Sequence, residues 1–411
     1  MPQNAFDTLK ERGFFAQTND EAGLRAALGE KPLTYYIGFD PTATSLHCGS
    51  VVPIMAMAHL QRAGHKPVAL IGGGTAAVGD PTGKTEMRKM LSLEDIAANG
   101  RGILSQIGRY LNLDGVAGTS TNNADWLMQL NYIEFLRDVG RYFKVNEMIR
   151  ADAYKARLER EDGLSFIEFN YQLLQAYDFL RLFEREGCVL QMGGNDQWSN
   201  ILAGTDLIRR VHAKQAYCLT FPLLTTARGE KMGKTAAGAV WLDAERTSPY
   251  DFYQYWINTD DRDVRKFLAL FTFLPMDEVE RLGAAQGAEL NASKEVLAYE
   301  ATKLCHGAAA ADEARAAAKA AFGGGGDLSA MPSTTVPLAR LEAGIALLDL
   351  FVETGLTASK GDARRLVQQG GAYVNDVVVS DAQGKVTAAD LKEGTVLLRA
   401  GKKKYHRVLA G

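Results

Sequence analysis

The chain has 411 residues, of which 46% are hydrophobic and 23% charged, and its formal net charge at pH 7 is −3. This is the composition of an ordinary globular enzyme of two or three domains. No apolar run approaches membrane-spanning length and the polar start, residues 1–4, is no signal peptide, so we expect a cytoplasmic protein without a membrane partner.

The four cysteines are widely spaced, with no Cys-x-x-Cys pair and no Cys/His cluster: Cys48, Cys188, Cys218 and Cys305. This spacing favours reduced thiols and argues against structural zinc. We therefore expect no protein-bound metal and no organic cofactor.

Residues 1–245 alternate strand-like and helix-like runs, which predicts a Rossmann-like α/β domain with a mainly parallel sheet. In chain order the strand-like runs are residues 33–39, 66–71, 189–192 and 217–224. Two of these runs end in glycines, at 72–74 and 193–194. Glycine-rich strand ends that open into helices place ligands at the carboxyl edge of such a sheet.

The rest of the chain predicts two further domains. Residues 246–322 contain only helix-like runs and begin with Ser248 as a helix N-cap before Pro249. Four successive glycines and two prolines then predict a linker over residues 323–337. Residues 338–411 are expected to form a small α+β domain.

The charge is unevenly distributed along the chain. Residues 338–411 contain 11 Lys/Arg and 8 Asp/Glu, a net charge of +3, so the remainder carries −6. A basic end on an acidic body fits a nucleic-acid partner held at one place. Random surface charge is the alternative interpretation.

Two separated strings predict one nucleotide site. Residues 40–50, Asp-Pro-Thr-Ala-Thr-Ser-Leu-His-Cys-Gly-Ser, lie between a predicted strand and an apolar helix that begins near Gly49. A helix N-terminus suits phosphate because its N–H groups are free and its dipole end is positive. Residues 231–235, Lys-Met-Gly-Lys-Thr, contain two lysines three positions apart. Such lysines suit the stabilisation of negative charge that develops during a reaction. Together the strings resemble the two signature motifs of class I aminoacyl-tRNA synthetases.

Two groups of polar residues could line a pocket beside these motifs. One face of a predicted helix carries, at spacing i, i+4 and i+7, Tyr171, Gln175 and Asp178. One face of the first strand carries Tyr36, Gly38 and Asp40. The helix face is interpreted either as the solvated side of an amphipathic helix or as a pocket wall.

Residues 36–42, 79–84, 171–178 and 194–198, taken with the two motifs, resemble bacterial tyrosyl-tRNA synthetases. The resemblance covers essentially the whole chain. It implies ATP-dependent activation of L-tyrosine followed by transfer to tRNA(Tyr), and it implies a homodimer. Magnesium would accompany ATP.

The resemblance also implies a role for each matching residue. Tyr36 and Asp178 would bind the substrate phenol, and the rest of tyrosine would contact Asp40, Asp80, Tyr171, Gln175 and Gln197. The residues expected to be catalytic, through the phosphates, are Thr42, His47, Lys84, Arg88, Lys231 and Lys234. The residues expected to bind ATP are Gly38, His47, Gly49, Ser50, Asp196 and Lys234. Ser50 departs from the family pattern, which often has a second histidine there.

Residues 359–375 resemble a small RNA-binding module first known from a ribosomal small-subunit protein. Lys360, Arg364 and Arg365 fall near one helix face, from which they could reach a phosphate backbone. The terminal lysines expected to join them are Lys402, Lys403 and Lys404. The alternative is a solvated basic helix.

Three rival functions remain open at this point. Residues 79–85 nearly match a phosphate-binding loop, but the spacing is one residue short and Pro81 removes an N–H that such a loop needs. A tryptophanyl-tRNA synthetase is closer in class, although Asp178 beside Tyr36 favours tyrosine. A non-catalytic RNA-binding relative is the third, with Ser50 as its only support.

Overall fold

The fold is that of a computed structural model, which describes residues 3–82, 91–159, 163–229, 231–235, 238–323, 331–392, 394–401 and 404–411. The chain forms two compact units. Unit 1 comprises residues 1–234, 239–243 and 260–293, and unit 2 comprises residues 235–238, 244–259 and 294–411. Among the described helices, none has the length and apolar composition needed to cross a bilayer.

Unit 1 contains a six-stranded sheet. Its strands are β1 (Gln17–Thr18), β2 (Thr34–Phe39), β3 (Lys66–Ile71), β4 (Thr119–Asn122), β5 (Cys188–Gly194) and β6 (Tyr217–Phe221). The spatial order is β1-β6-β5-β2-β3-β4, and β1 alone in this sheet runs antiparallel to its neighbour. The strand order reverses beside β2, so the carboxyl ends of β2 and β5 border the crevice where such folds bind ligands. The predicted α/β class is confirmed.

Helices connect these strands and cover the sheet. Up to residue 212 they are α1 (Ala5–Arg12), α2 (Glu21–Glu30), α3 (Val51–Arg62), α4 (Gly73–Val78), α5 (Leu93–Ile107), α6 (Ala124–Leu127), α7 (Tyr132–Asp138), α8 (Val145–Met148), α9 (Asp152–Leu158), α10 (Phe166–Glu186) and α11 (Trp198–His212). The next helices are α12 (Pro249–Ile257), α13 (Val264–Phe271), α14 (Met276–Gly283), α15 (Gly287–His306) and α16 (Ala308–Gly323). Of these later helices, α13 and α14 belong to unit 1 and α12 and α16 to unit 2.

The long helix α10 positions much of the site, and its ends follow from its sequence. Ser165 and Glu168 form a capping box at its start, and Gly187 ends it in the left-handed conformation with φ of 60°. Glu168 also pairs with Arg157 at 3.1 Å, and both side chains are almost fully buried. This buried pair ties α9 to the first turn of α10.

Unit 2 ends in a small α+β fold around a separate core. Its elements are β9 (Ser333–Val336), α17 (Leu338–Ala343), β10 (Ile345–Ala346), α18 (Leu347–Glu353), α19 (Lys360–Gln368), β11 (Ala372–Val374), β12 (Val377–Val378), β13 (Lys385–Val386), β14 (Thr395–Ala400) and β15 (Lys404–Ala410), numbered after the short β7 (Lys234–Thr235) and β8 (Gly238–Ala239). The larger sheet has the order β12-β11-β14-β15-β9.

One detail of the predicted linker is wrong. Residues 333–336 form β9, which pairs in parallel with β15, and the Leu338 N–H donates to the carbonyl of the last residue, Gly411. The Ser-Thr-Thr-Val segment is β-branched, which favours a strand once an edge is available to pair with. The composition around Pro332 and Pro337 did not indicate that the edge of β15 would be available for pairing. The other predicted domain limits remain predictions.

Candidate active site

A cleft of about 450 Å³ opens at the carboxyl ends of the unit 1 strands. It brings together eleven of the predicted residues. These are Tyr36, Gly38, Asp40, Thr42, His47, Ser50, Asp80, Tyr171, Gln175, Asp178 and Gln197. Residues from β2, the first motif and α10 therefore share one site, and the pocket interpretation of the α10 face is the one that the structure favours.

The deep end of the cleft holds a hydroxyl and a carboxyl group. Tyr36 and Asp178 are 1% and 2% exposed, and the Tyr36 hydroxyl has no hydrogen-bond partner among the described residues. Asp178 accepts hydrogen bonds from Asn123 Nδ2 and Trp126 Nε1, each at 2.8 Å. A buried polar group without a partner costs free energy, so this end is built for a ligand with a polar tip.

At the deep end of the cleft, burial is the main cause of the shifts in side-chain pKa. It raises the pKa of Asp178 to about 8, against the two donors, which favour the ionised form. Burial also raises the pKa of the Tyr36 phenol, and the nearby Asp178 charge adds to that effect. The Tyr36 hydroxyl therefore stays protonated and can donate a hydrogen bond.

The outer part of the cleft is acidic. Asp40 accepts hydrogen bonds from the Tyr171 hydroxyl at 2.8 Å and from Thr75 Oγ1 at 2.7 Å. Asp80 is 9% exposed and accepts from Gln197 Nε2 at 2.7 Å. Two carboxylates held at fixed positions suit an ammonium group.

The first motif forms a tight turn into a helix. His47 precedes a short 3-10 helix, Cys48–Ser50, and its Nδ1 accepts the Gly49 N–H at 3.0 Å. Helix α3 follows directly, and Ser50 at its N-cap makes no side-chain capping bond within this described segment. Ser50 is among the residues that line the cleft, and its contact with ATP stays a prediction.

The second motif lies directly on the first. Gly233 has φ of +79°, and a Cβ built on it would be 2.7 Å from the Gly49 nitrogen and 2.9 Å from His47 Nδ1. A Cβ on Gly49 would in turn be 2.7 Å from the Met232 carbonyl oxygen. Only a residue without a side chain allows this approach. The two strings are thus in direct contact, as a shared site requires, and the nucleotide site itself stays a prediction.

Comparison with known proteins places this geometry in a family. A family model described as tRNA synthetases class I (W and Y) matches residues 28–323, and one described as tyrosine–tRNA ligase SYY-like C-terminal domain matches residues 327–408. The chain is 55% identical to the tyrosine–tRNA ligase of Desulfosudis oleivorans, with 98% of each chain covered, and 54% identical to that of Clostridium tetani, with 100% of each covered. The chain belongs to the tyrosine–tRNA ligase family.

A solved structure agrees with this assignment. A C-terminally truncated mitochondrial tyrosyl-tRNA synthetase from Aspergillus nidulans is 32% identical with a TM-score of 0.68, covering 76% of this chain and 92% of that one. A tryptophanyl-tRNA synthetase from Encephalitozoon cuniculi is 17% identical with a TM-score of 0.56, which shows a shared fold alone. Membership of the tyrosine–tRNA ligase family disfavours the tryptophanyl alternative and overturns the phosphate-binding-loop one.

The remaining predicted residues either do not line the cleft or lie outside the described part of the chain. Gly49 and Asp196 lie beside the cleft, Asp196 in the short 3-10 helix after β5. Desolvation and the Asp80 charge raise the pKa of Asp196, whereas the Lys231 charge lowers it, which indicates that Lys231 is close. The predictions for Lys84, Arg88, Lys402, Lys403 and the side chain of Lys234 fall outside the described residues.

The predicted RNA-binding residues lie in unit 2. Lys360, Arg364 and Arg365 are exposed on α19, whose N-cap is Ser359. Lys360 pairs with Asp349 and Arg365 pairs with Asp362. Lys404 is exposed at the start of β15. These acidic partners reduce the net charge of the face, which composition alone did not indicate.

Among the residues missed from the sequence, four lie in the cleft or directly behind it. Thr75 and Asn123 form a chain between the two ends of the cleft: Thr75 donates to Asp40, and Asn123 donates to Thr75 at 3.0 Å and to Asp178. The other two are Trp126 and Gln191, which is 2% exposed with an unpartnered Oε1 among the described atoms. Asn123 directly follows β4, but that strand is polar, so no hydrophobic run marked its end.

We expect Asp178→Asn to lower the preference for tyrosine over phenylalanine by about fivefold to 150-fold, because an unpaired buried group costs about 1–3 kcal/mol. The amide cannot accept from Asn123, Trp126 and a substrate hydroxyl as the carboxylate can. Amino-acid-dependent pyrophosphate exchange with both substrates measures the effect. Asp125→Asn, an exposed neighbour on α6, is the matched control. Unchanged discrimination in Asp178→Asn would remove Asp178 from the phenol site.

Proposed function

We propose that this chain activates L-tyrosine with ATP and transfers the tyrosyl group to the 3′ end of tRNA(Tyr). The observation that carries the proposal is the buried, unpartnered Tyr36 hydroxyl beside Asp178 at the closed end of an acidic cleft. A phenol can accept from Tyr36 and donate to Asp178. The indole of tryptophan has a single N–H donor and no acceptor, so it would leave Tyr36 unpaired.

Each end of tyrosine has matching partners. The ammonium group would lie among Asp40, Asp80, Tyr171 and Gln175, where two carboxylates supply the opposite charge. The carboxylate would lie on the Gln197 side, close to the nucleotide. The path Asp40–Thr75–Asn123–Asp178 holds both ends at a fixed separation, which favours one orientation of the bound amino acid.

The reaction has two steps. An oxygen of the tyrosine carboxylate attacks the α-phosphorus of ATP, and pyrophosphate leaves. A hydroxyl of the terminal tRNA ribose then attacks the carbonyl carbon of tyrosyl adenylate, and AMP leaves with the bonding electron pair. No protein side chain forms a covalent bond. Catalysis comes from positioning and from stabilising the charge that develops on the phosphates.

The two motifs would hold the nucleotide. Thr42, His47, Lys231 and Lys234 would contact the phosphates, together with Lys84 and Arg88. Gly38, Gly49, Ser50 and Asp196 would contact the adenosine part, and Ser50 is among the residues that line the cleft. Mg²⁺ would arrive with the ATP phosphates, whose oxygens it prefers. Within the described residues no cluster of three or more His, Cys, Asp or Glu side chains could hold a metal ion.

A division of labour along the chain follows from this proposal. Residues 1–245 would carry the chemistry, 246–322 would form a helical domain on the anticodon side, and 338–411 would bind RNA through Lys360, Arg364, Arg365 and Lys402–Lys404. The match of a separate family model to residues 327–408 supports an independent C-terminal function. We keep the cytoplasmic location as a prediction, since the expected substrates are found there.

We also propose that the protein is a homodimer. Most of the exposed large apolar side chains in the described chain lie between Met128 and Ile167, on α7 to α10. Ile133 is 69% exposed and Phe166 66%. Apolar patches of this kind mark interaction sites. A second copy of this chain is the occupant we propose, because the patch is self-contained within unit 1 and suits an isologous contact.

The proposed activity is tested by pyrophosphate exchange with each amino acid in turn. Exchange that requires tyrosine supports the proposal, and exchange that requires tryptophan would replace it with the tryptophanyl alternative. A protein that binds tRNA but exchanges with no amino acid would be the non-catalytic relative.

We expect Lys231→Ala to slow adenylate formation about 100-fold, the usual cost of removing one group that stabilises transition-state charge. Tyrosine binding should stay within about twofold of normal, because the charge is used mainly in the transition state. Single-turnover adenylate formation and equilibrium tyrosine binding separate the two effects. Lys214→Ala, an exposed lysine in the same unit, serves as control. Equal losses in both measurements would show that Lys231 is structural.

We expect neutralising the α19 face, with Lys360→Gln, Arg364→Gln and Arg365→Gln in the full chain, to raise the KM for tRNA about tenfold. Exchange should be unchanged, and the salt dependence of tRNA binding should become shallower because fewer counterions are released. The matched control neutralises Lys10, Lys31 and Lys66 of unit 1. A tRNA KM that stays normal in the α19 variant would rule out this face.

We expect Phe166→Asp to shift the protein from dimer to monomer, because a charge would be buried in the apolar contact. Sedimentation velocity over a range of concentrations measures the association. Val116→Asp changes an exposed apolar residue outside the patch and should leave the dimer intact. A wild-type monomer at all concentrations would contradict the homodimer.

A further inference from the structure

The loop that carries the second motif, residues 222–235, is held by two residues of another element. Asp263 Oδ2 accepts the Ala227 N–H at 2.7 Å. The Lys266 ammonium donates to the Thr225 carbonyl at 2.9 Å and pairs with Asp263 Oδ1 at 2.8 Å. Asp263 and Lys266 are one turn apart at the start of α13. This single turn therefore binds both a backbone donor of the loop, the Ala227 N–H, and a backbone acceptor, the Thr225 carbonyl.

The Asp263 side chain does not cap its own helix, although its position predicts a cap. It is the N-cap of α13, where aspartate normally accepts an N–H of its own helix, but it makes no such bond among the described atoms. It faces the loop instead and is 2% exposed. A buried carboxylate needs charged and hydrogen-bonding partners, and Lys266 and the Ala227 N–H supply them. The loop contact is therefore specific and takes the place of the cap.

The anchored part of the loop is joined to its lysine segment. Thr225 and Lys231 form an antiparallel bridge, and the Met232 N–H donates to the Leu224 carbonyl at 3.2 Å. Gly233, the next residue, rests on the first motif through its contact with Gly49. A displacement of Thr225 would therefore also displace Lys231, because the two residues are paired in this bridge.

The same helix is held against α3, the helix that follows the first motif. Helix α13 packs against α3, which begins at Val51 directly after the first motif. Arg12, which is 7% exposed, donates to the carbonyl oxygens of Ala269 at 2.9 Å and Thr272 at 3.1 Å at the end of α13. Helix α13 is thus linked to both motifs indirectly, to the first through α3 and to the second through the loop at Thr225 and Ala227.

We propose that Asp263 and Lys266 are positioning residues for adenylate formation, which set the place of Lys231 relative to the first motif. The inference rests on the proposed function. The exposed ion pair on the same loop is a natural comparison: Arg228, 72% exposed, lies 3.4 Å from Asp260. Solvent screens such a pair, so it contributes little to holding the loop.

The test measures single-turnover adenylate formation and equilibrium tyrosine binding for Lys266→Met and Asp263→Asn. Methionine keeps the apolar stem of lysine and removes both polar contacts, whereas asparagine keeps an acceptor for Ala227 and removes the charge. We expect each variant to slow adenylate formation about tenfold with tyrosine binding within about twofold of normal. Arg228→Met and Asp277→Asn, the latter an exposed carboxylate on α14, should be close to wild type.

A double-mutant cycle distinguishes positioning from general stability. If the anchor acts through Lys231, then Lys266→Met should cost less than about twofold in a Lys231→Ala background, because the group it positions is already gone. Losses that multiply in the double variant, or tyrosine binding that weakens in parallel, would overturn the inference. Lys266 is 40% exposed at its side chain, so its variant keeps the test available if Asp263→Asn fails to fold.

Wild-type exchange with tyrosine is measured first. Its absence would overturn the proposed function and the anchor together. Normal wild-type exchange with multiplying losses in the cycle would overturn the anchor alone.

Discussion

The buried carboxyl group of Asp178 is the constraint on which the rest of the site depends. A carboxyl group at 2% exposure needs fixed hydrogen-bonding partners, and these are Asn123 and Trp126, at the end of β4 and on α6. The strand and the helices must therefore meet α10 at one register. The same network continues through Thr75 to Asp40, so the deep and outer ends of the cleft are positioned by one set of hydrogen bonds.

The nucleotide side is organised by close backbone approach rather than by buried charge. Gly49 and Gly233 bring two segments, nearly two hundred residues apart in the chain, within contact distance, and neither position has room for a Cβ. Backbone hydrogen bonds add to this contact: the Cys48 N–H donates to the Val240 carbonyl, and the Val240 N–H donates to the Gly233 carbonyl, each at 2.9 Å. Lys231, two residues before Gly233, is exposed beside this contact.

These two halves place different demands on the fold. In the cleft, the carboxyl groups of Asp40, Asp80 and Asp178 are each held by side-chain hydrogen bonds, which fix their positions. The motif loop rests on few side chains, chiefly Asp263 and Lys266, and Lys231 itself is exposed. In the proposed function, specificity for the amino acid therefore comes from packed helices and strands, whereas charge stabilisation comes from a loop whose position is set by a neighbouring helix.

The sequence alone determined the α/β class, the two motifs, the polar face of α10 and the family, because strand runs, glycine-ended turns and i, i+4, i+7 spacing are local patterns. Tertiary structure decided the rest. Asn123 follows a polar strand and Asp263 resembles an ordinary helix cap, so neither shows its partner in its own neighbourhood. Likewise, residues 333–336 became a strand only because β15 offered an edge to pair with. A side chain's partner is set by which elements pack together, and that depends on contacts between residues far apart in the chain.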